Sequence, residues 1–301
     1  MLTIRNSIIA LCFVVFVFGC KKESAPIAQL DNNLSPIAQT LLENTALISR
    51  VFSDTTIQLH KGVEETDIHY LSMTGYTMRA FVLKVDLKQA DVSLMPLTPY
   101  GGTSFAMQTV PDMVNYIDSP ESKTLAAVNA DFFNTSTGEP RSIVYLNGEA
   151  IRTIIPGIRG YFGVSKTGEL MIGDSLDYTQ HKNQISNALG GYQRLIKNKT
   201  QVGQTDLSIE PRTAVGFTID KIVYFIVVDG RRFDYSNGMT LTDLSAFMLA
   251  LGVSESINLD GGGSSTFMIN NPLADVMQVR NWSSDGSPRA VANGWAIVAK
   301  N

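Results

Sequence analysis

Four short polar clusters in this sequence combine acids, amides and arginines beside apolar runs. They are NADFFNTSTGEPR (129–141), EPRTAVG (210–216), VVDGRR (227–232) and NLDGGGSST (258–266). Because each cluster adjoins a strand-like run, we expect all four at strand ends, where binding and catalytic residues are commonly placed. Each cluster thus supplies acid, amide or guanidinium groups directly beside apolar runs that we expect to be buried.

The glycine run from Gly261 to Gly263 is the most unusual of these features. Consecutive glycines can present several backbone N–H groups to one anion, and the hydroxyls of Ser264 and Ser265 add donors. The loop lacks the Gly-Lys-Ser/Thr of a nucleotide P-loop and the spacing of a dinucleotide fingerprint. Taken alone, it is equally consistent with a glycine-rich turn capped by Asp260.

Two arginines favour the anion interpretation. Arg212 begins a strand-like run, and Arg231 follows another one directly after the pair Asp229-Gly230. A guanidinium group binds phosphate through two parallel hydrogen bonds. The alternative is that both arginines pair with structural carboxylates. Similarly, Asn129 and Asp131 could bind sugar hydroxyls or a metal. The alternative is that they cap a turn.

Other chemistries are poorly supported. The three histidines, His60, His69 and His181, show neither metal-ligand spacing nor a catalytic triad. A Gly-x-Ser-x-Gly nucleophile elbow is absent from the sequence. Both cysteines, Cys12 and Cys20, lie in the N-terminal leader, which argues against thiol chemistry in the domain. The net charge of −4 argues against a nucleic-acid partner.

The pair Phe132-Phe133 fits a core position better than a platform for a sugar ring. A platform for a sugar ring remains the alternative for this pair.

The elements that must position the clusters are mostly strands. Residues 142–151 form a predicted hairpin turning at Asn147-Gly148, and residues 161–174 form a second one. Residues 212–230 read as two strands joined near Asp220-Lys221. Strands and helices mix without regular alternation, which predicts an α+β fold with mixed, mostly antiparallel β-sheets and a few packed helices.

Three helices are predicted. The clearest covers residues 240–252, where Thr240 and Asp243 form a capping pair and the leucines share one face. A second is expected over residues 35–52, capped by Ser35, and a short one within residues 105–118.

The first twenty residues predict processing rather than fold. Their apolar run, from Ile8 to Phe18, is too short for a membrane-spanning helix and is typical of a signal peptide. Gly19 before Cys20 resembles a bacterial lipoprotein processing site, which implies cleavage and lipidation at Cys20. An ordinary signal peptide or an uncleaved anchor is the alternative.

The segment after the leader is interpreted as a polar tether over residues 21–34, followed by a single domain over 35–301. Lys21 after Cys20 supplies no aspartate signal for inner-membrane retention, so the outer membrane of a bacterial cell envelope is the favoured location.

Taken in order, the clusters resemble one family. Asn-Ala-x-Phe-Phe, Asn-Gly, Arg-Thr-Ala-x-Gly, Asp-Gly-Arg, Asn-Leu-Asp-Gly-Gly-Gly-Ser-Ser and Arg-Ala-Val-Ala-Asn-Gly, from Asn129 to Gly294, resemble the phosphodiester glycosidase domain. The resemblance implies one catalytic domain that hydrolyses a sugar 1-phosphodiester at the anomeric carbon–oxygen bond. The products would be a free sugar and a phosphomonoester.

The resemblance also implies residue roles. It places catalytic functions on Asp260, Asp229 and Arg212, while Asp131 stands where the family often has a small residue. It assigns substrate binding to Asn129, Arg231, Gly261, Gly262, Gly263, Ser264, Ser265 and Asn293. In this interpretation Arg212 and the glycine-loop amides stabilise the phosphate. A carboxylate, first Asp260 and then Asp229, serves the anomeric centre as nucleophile or base.

Several points stay open on the sequence. A divalent cation such as calcium, held by Asp and Asn oxygens, is an alternative element of the site. Two other functions compete with the glycosidase: a non-catalytic, surface glycan-binding lipoprotein, and a phosphodiesterase that cuts the P–O bond. The expected partner in every case is a phosphorylated glycan or sugar 1-phosphodiester of bacterial or host origin.

Overall fold

The computed structural model of this protein describes residues 34–300. The predicted leader with its lipidation site Cys20, and the predicted tether up to residue 33, lie outside the described residues. Among residues 34–300, no helix is both long and apolar enough to cross a membrane.

A large antiparallel sheet forms the central layer of the fold, and its inner strands are buried on both faces. In order across the sheet, its eight strands are β1 (Ile48–His60), β2 (Val63–Ser72), β3 (Thr77–Asp86), β14 (Ile222–Val228), β13 (Arg212–Phe217), β15 (Glu255–Asn258), β11 (Arg194–Lys197) and β12 (Thr200–Gln201). Continuous apolar runs in β3 and β14 fit this position, because a strand covered on both sides shows no alternation.

Two five-stranded sheets complete the β-structure. The second sheet has the order β7 (Glu149–Arg152), β6 (Val144–Leu146), β10 (Ile185–Gly191), β8 (Gly160–Ser165) and β9 (Leu170–Gly173). The third has the order β17 (Val276–Val279), β16 (Phe267–Asn271), β5 (Ser122–Asn129), β18 (Gly294–Lys300) and β4 (Val92–Leu97). Neighbouring strands pair antiparallel in all three sheets over the described part of the chain.

Helices are few and short. The described residues contain α1 (Pro36–Asn44), α2 (Val110–Val114), α3 (Ser175–His181) and α4 (Leu241–Ala250), with 3₁₀ turns at Pro99–Gly101, Lys182–Gln184 and Gly262–Ser264. Together with the antiparallel sheets they confirm the predicted α+β fold class.

The core is divided by the central sheet. On one face, Phe81 and Phe225 pack against side chains of the other two sheets: the Phe81 and Phe267 ring centroids are 5.5 Å apart, and those of Phe225 and Phe162 are 6.1 Å apart. On the opposite face, Ala80, Val82 and Ile226 pack with the apolar residues of α1 and α4. Each large buried side chain contributes about 1.5–3 kcal/mol, so this layering holds the strand ends in fixed positions.

Most predicted elements are confirmed. Both hairpins form, with Leu146 paired to Glu149 across the Asn147-Gly148 turn, and α4 carries its cap on Thr240, whose hydroxyl accepts the Asp243 N–H at 3.1 Å. Residues 212–217 and 222–228 pair as predicted.

The helix predicted over residues 35–52 is wrong in its second half. Ser35 caps α1 as expected, but the helix ends at Asn44 and β1 begins at Ile48. Val51 pairs with Tyr70 of β2, so sheet pairing overrides the helical periodicity of this segment. The short helix expected within residues 105–118 covers only Val110–Val114.

Candidate active site

One open cleft of about 340 Å³ brings residues of all four polar clusters together. It is lined by Phe132, Asp206, Ser208, Glu210, Pro211, Arg212, Arg231, Asn258, Asp260, Gly261, Gly262, Gly263 and Arg289. The sheet register explains the convergence: Arg212, at the start of β13, pairs with Val228 at the end of β14, and Ala214 pairs with Asn258 at the end of β15.

Another open groove, of about 450 Å³ around Phe217 and Lys221, contains no arginine and none of the predicted site residues. The chemistry predicted from the sequence therefore belongs to the first cleft.

Asp260 is held rigidly in this cleft by its own backbone. Its N–H donates to the Ala130 carbonyl oxygen at 2.8 Å, and its carbonyl oxygen accepts from the Asn129 amide at 2.6 Å. Burial raises the pKa of the Asp260 carboxyl to about 6, although the Ser264 hydroxyl and the Arg289 charge stabilise the ionised form. A carboxylate with this pKa can work as a nucleophile or base near neutral pH.

The glycine loop uses three of its backbone N–H groups within the protein. The Gly262 N–H donates to the Pro211 carbonyl at 2.9 Å, and the Ser264 N–H donates to the Gly261 carbonyl at 3.1 Å. The Ser265 N–H is likewise bound within the loop. Because these three donors already have acceptors, an anion at the loop would have to bind to other donors, such as the N–H of Gly263.

The absence of a side chain at Gly263 instead allows other side chains to pack directly against the loop backbone. A Cβ atom at Gly263 would overlap the Arg289 guanidinium and the Asp285 carboxylate. These two side chains form an ion pair with an Nη2–Oδ2 distance of 2.6 Å, and Arg289 Nη1 lies 3.4 Å from the Ser264 hydroxyl oxygen. Glycine at 263 therefore lets Arg289 lie against the loop that carries Asp260.

Three guanidinium groups face the cleft, and each is oriented by protein groups. Arg212 donates through Nε to the Met239 carbonyl at 2.8 Å and through Nη2 to the Ser208 carbonyl at 2.6 Å. Arg231 donates through Nε to Glu210 at 2.7 Å. In the described residues, Nη1 of Arg212 makes no hydrogen bond, so it can still donate to a ligand.

Several site residues escaped the sequence reasoning. Arg289 opens the Arg-Ala-Val-Ala-Asn-Gly motif, in which only Asn293 was predicted to bind substrate; the motif itself was the available signal for Arg289. Phe132 lines the cleft although it was assigned to the core, whereas its neighbour Phe133 is buried as predicted. The two rings separate because successive side chains of an extended chain point to opposite sides. Arg159 stacks over the Phe132 ring, with 5.2 Å between its Cζ atom and the ring centroid, and carried no sequence signal.

Two predicted substrate-binding residues, Asn129 and Asn293, are fully buried away from the cleft surface. Asn129 accepts hydrogen bonds from the Thr213 hydroxyl at 2.9 Å and from the Thr266 N–H at 3.0 Å. Asn293 accepts the Asp131 N–H at 2.8 Å. Their amides hold strand ends together, because buried backbone groups need such partners.

Asp229 also lies away from the lining of the cleft. Its carboxylate accepts the Trp282 N–H at 2.8 Å, the Asn281 amide at 3.1 Å and the Tyr235 hydroxyl at 3.2 Å. Burial raises the pKa of Asp229 to about 6 against these hydrogen bonds. Since Asn281 also donates to the Ser265 carbonyl at 3.0 Å, Asp229 supports the glycine loop from behind rather than facing a ligand beside Asp260.

Among residues 34–300, no group of three or more His, Cys, Asp and Glu side chains is arranged to hold a metal ion.

Comparisons with known proteins agree on the family. The family model described as phosphodiester glycosidase matches residues 122–298. The N-acetylglucosamine-1-phosphodiester alpha-N-acetylglucosaminidase of Bos taurus is 29% identical over 168 residues, which is 49% of this chain and 32% of that protein. The chain thus spans about a third of the length of the curated relatives it matches.

Solved structures share the fold. The zebrafish N-acetylglucosamine-1-phosphodiester alpha-N-acetylglucosaminidase catalytic domain, auto-inhibited by its pro-peptide, superposes with a TM-score of 0.63 at 21% identity, covering 84% of this chain and 95% of that one. A hypothetical protein from Synechocystis gives a TM-score of 0.61 at 12% identity, covering 82% and 64%.

Proposed function

The chain belongs to the phosphodiester glycosidase family, and from this premise we propose that it hydrolyses a sugar 1-phosphodiester at the glycosyl C–O bond. The products are a free sugar and a phosphomonoester. One observation carries the proposal: Asp260 and three guanidinium groups line the same cleft. Because curated relatives are named for N-acetylglucosamine 1-phosphodiesters, that sugar is the first to test.

The arginines supply the phosphate site. Each arginine forms an ion pair with an acid in the cleft or at its edge: Arg212 with Asp206, Arg231 with Glu210 and Arg289 with Asp285. The Arg212–Asp206 pair is loose, at 3.8 Å, and Asp206 is 42% exposed, so a phosphate can replace this weak partner. Guanidinium groups held in place before the reaction stabilise the charge that grows on the departing phosphate.

Asp260 acts at the anomeric carbon. Above about pH 6 its carboxyl is ionised, and it serves either as the nucleophile or as the base that activates water. A phosphomonoester leaves readily, so the reaction places less demand on a general acid than an ordinary glycosidase does. The Phe132 ring on the cleft wall offers an apolar surface to the sugar.

The test is product analysis with a defined substrate. Wild type is incubated with a methyl phosphodiester of N-acetylglucosamine, and products are followed by proton and phosphorus NMR. We expect free sugar plus methyl phosphate, and loss of turnover in Asp260→Asn, with Asp220→Asn, an exposed turn residue, as the matched control. Sugar phosphate as product would instead indicate P–O cleavage. Bound but intact substrate would indicate a glycan-binding protein.

We propose further that the protein is lipid-anchored through Cys20 in a bacterial cell envelope, at the outer membrane, and acts there on a phosphorylated glycan. The support is the apolar leader followed by Gly19-Cys20. Metabolic labelling with a radioactive fatty acid should mark wild type and leave Cys20→Ser unlabelled. Equal labelling of both forms would refute the anchor without affecting the proposed reaction.

A further inference from the structure

A second buried acid, Asp131, lies beneath the cleft. Asp131 is only 1% exposed and is not part of the cleft lining. The backbone sets it beside Asp260, because the Asp260 N–H donates at 2.8 Å to the carbonyl oxygen of Ala130, the residue before Asp131. The two acids are therefore neighbours across one hydrogen bond that joins the chain after β5 to the chain after β15.

The Asp131 carboxyl has few partners. Its Oδ2 accepts the Ser142 N–H at 2.7 Å, and its Oδ1 is buried without a hydrogen-bond partner in residues 34–300. Gly190 packs against the carboxyl so closely that a Cβ atom there would overlap it. Position 190 of β10 therefore has no room for a side chain beside this carboxyl.

The charged groups that face Asp131 are Arg159, Arg152 and Asp260. Within the described residues neither arginine forms an ion pair with Asp131: Arg152 pairs with Glu139 at 3.2 Å, and Arg159 stacks over an aromatic ring, with its Cζ atom 4.6 Å from the centroid of Tyr192. Nη1 of Arg159 is itself buried without a partner.

An acid in this setting favours its neutral form. A buried carboxylate with one hydrogen bond and no ion pair loses its hydration without recovering it from the protein. Burial accordingly raises the pKa of Asp131 to about 7. The Ser142 N–H and the charge of Arg159 oppose this rise, and the charge of Asp260 adds to it.

We propose that Asp131 is a positioning residue that keeps its proton while Asp260 ionises, so that the pair formed by these two acids carries one negative charge instead of two. This inference rests on the proposed function and extends it. Once Asp131 ionises, a second negative charge lies below the arginines. It opposes binding of an anionic phosphodiester and ionisation of Asp260, so the pair must be treated as coupled.

The kinetic test uses Asp131→Asn, which keeps the shape and the acceptor for Ser142 but cannot ionise. For wild type, kcat/KM should decline above about pH 7, reaching about a tenth of its plateau near pH 8, mainly through KM. The variant should hold its plateau through the same range. An equal alkaline decline in both proteins, or none in wild type, would overturn the proposal.

A second test does not depend on activity. Infrared difference spectra with ¹³C-labelled aspartate, recorded near pH 6, should show a protonated-carboxyl band in wild type that Asp131→Asn weakens by the share of one carboxyl, while the partly protonated Asp260 and Asp229 still contribute. A band that the substitution leaves unchanged would overturn the inference, even for a protein inactive on every phosphodiester. Conversely, an inactive wild type that shows this band would refute the proposed reaction and leave the protonated acid established.

If Asp131→Asn fails to fold, Arg159→Met provides the third measurement. Removing the positive charge of Arg159, which favours the ionised form of Asp131, should make the protonated-carboxyl band persist to higher pH than in wild type. A band that disappears at the same or a lower pH would contradict the inference.

Discussion

Replacing Asp131 by asparagine should flatten the pH dependence of stability. In the native state this acid keeps its proton up to about pH 7, whereas in the unfolded chain it releases the proton near its ordinary pKa of 3.8. Between these values the native state binds more protons than the unfolded state. Raising the pH therefore favours unfolding, and the stability associated with the protonated acid is present below the unfolded pKa and lost as the pH rises through the folded one.

The magnitude follows from the same two values. The interval from 3.8 to about 7, at 1.36 kcal/mol per pKa unit, corresponds to about 4 kcal/mol of unfolding free energy. Only the part above about pH 4.5 is conveniently measurable, which leaves about 3 kcal/mol between that pH and about pH 8. This is a substantial fraction of the total stability of a typical domain.

The assay is urea unfolding of wild type and Asp131→Asn at a series of pH values. The asparagine leaves its own amide without a partner, which costs about 1–3 kcal/mol at every pH and shifts the difference curve without changing its slope. Asp220→Asn controls for the loss of one exposed negative charge. A wild-type minus variant difference that stays constant within about 1 kcal/mol would refute a protonated Asp131 in the native state.

Asp260→Asn should retain substrate binding by calorimetry while kcat falls by about a hundredfold or more. A kcat equal to that of wild type would remove Asp260 from the mechanism. In wild type, kcat/KM should rise with pH through about 6 as Asp260 ionises, a limb that a stopped assay across pH 4–7 would reveal. Gly263→Ala should displace Arg289 and raise KM more than it lowers kcat, and an unchanged KM would show that Arg289 does not hold the substrate. Asp229→Ala should lower stability by about 2–4 kcal/mol in thermal or urea unfolding, because the Trp282 N–H loses its buried acceptor, and a loss below about 1 kcal/mol would contradict this role.

Local elements were predictable where local chemistry decides them. The Asn147-Gly148 turn and the cap of α4 at Thr240 depend on residues a few positions apart, and both form as expected. The segment after Asn44 was not predictable in this way. Its helical spacing is real, but β1 gains backbone hydrogen bonds and packing from β2, which no periodicity reports.

The candidate site shows the same division. Polar residues at strand ends predicted that Arg212, Arg231 and Asp260 would converge, and the three line one cleft. The sequence could not distinguish an exposed amide from a buried one, so Asn129 was expected at the substrate and lies within the structure. Residue type determines what a side chain is able to do, whereas its access to a ligand depends on packing.

By itself, then, the sequence determined the residue types, their order along the chain and the strand-rich architecture, because these follow from spacing and turn chemistry. Only the tertiary structure decided that Arg289 lies against the glycine loop and that Asp131 lies beneath Asp260. The physical reason is that burial and electrostatic coupling arise between strands far apart in sequence. The ends of β5 and β15, more than a hundred residues apart, must meet before either acid acquires its pKa.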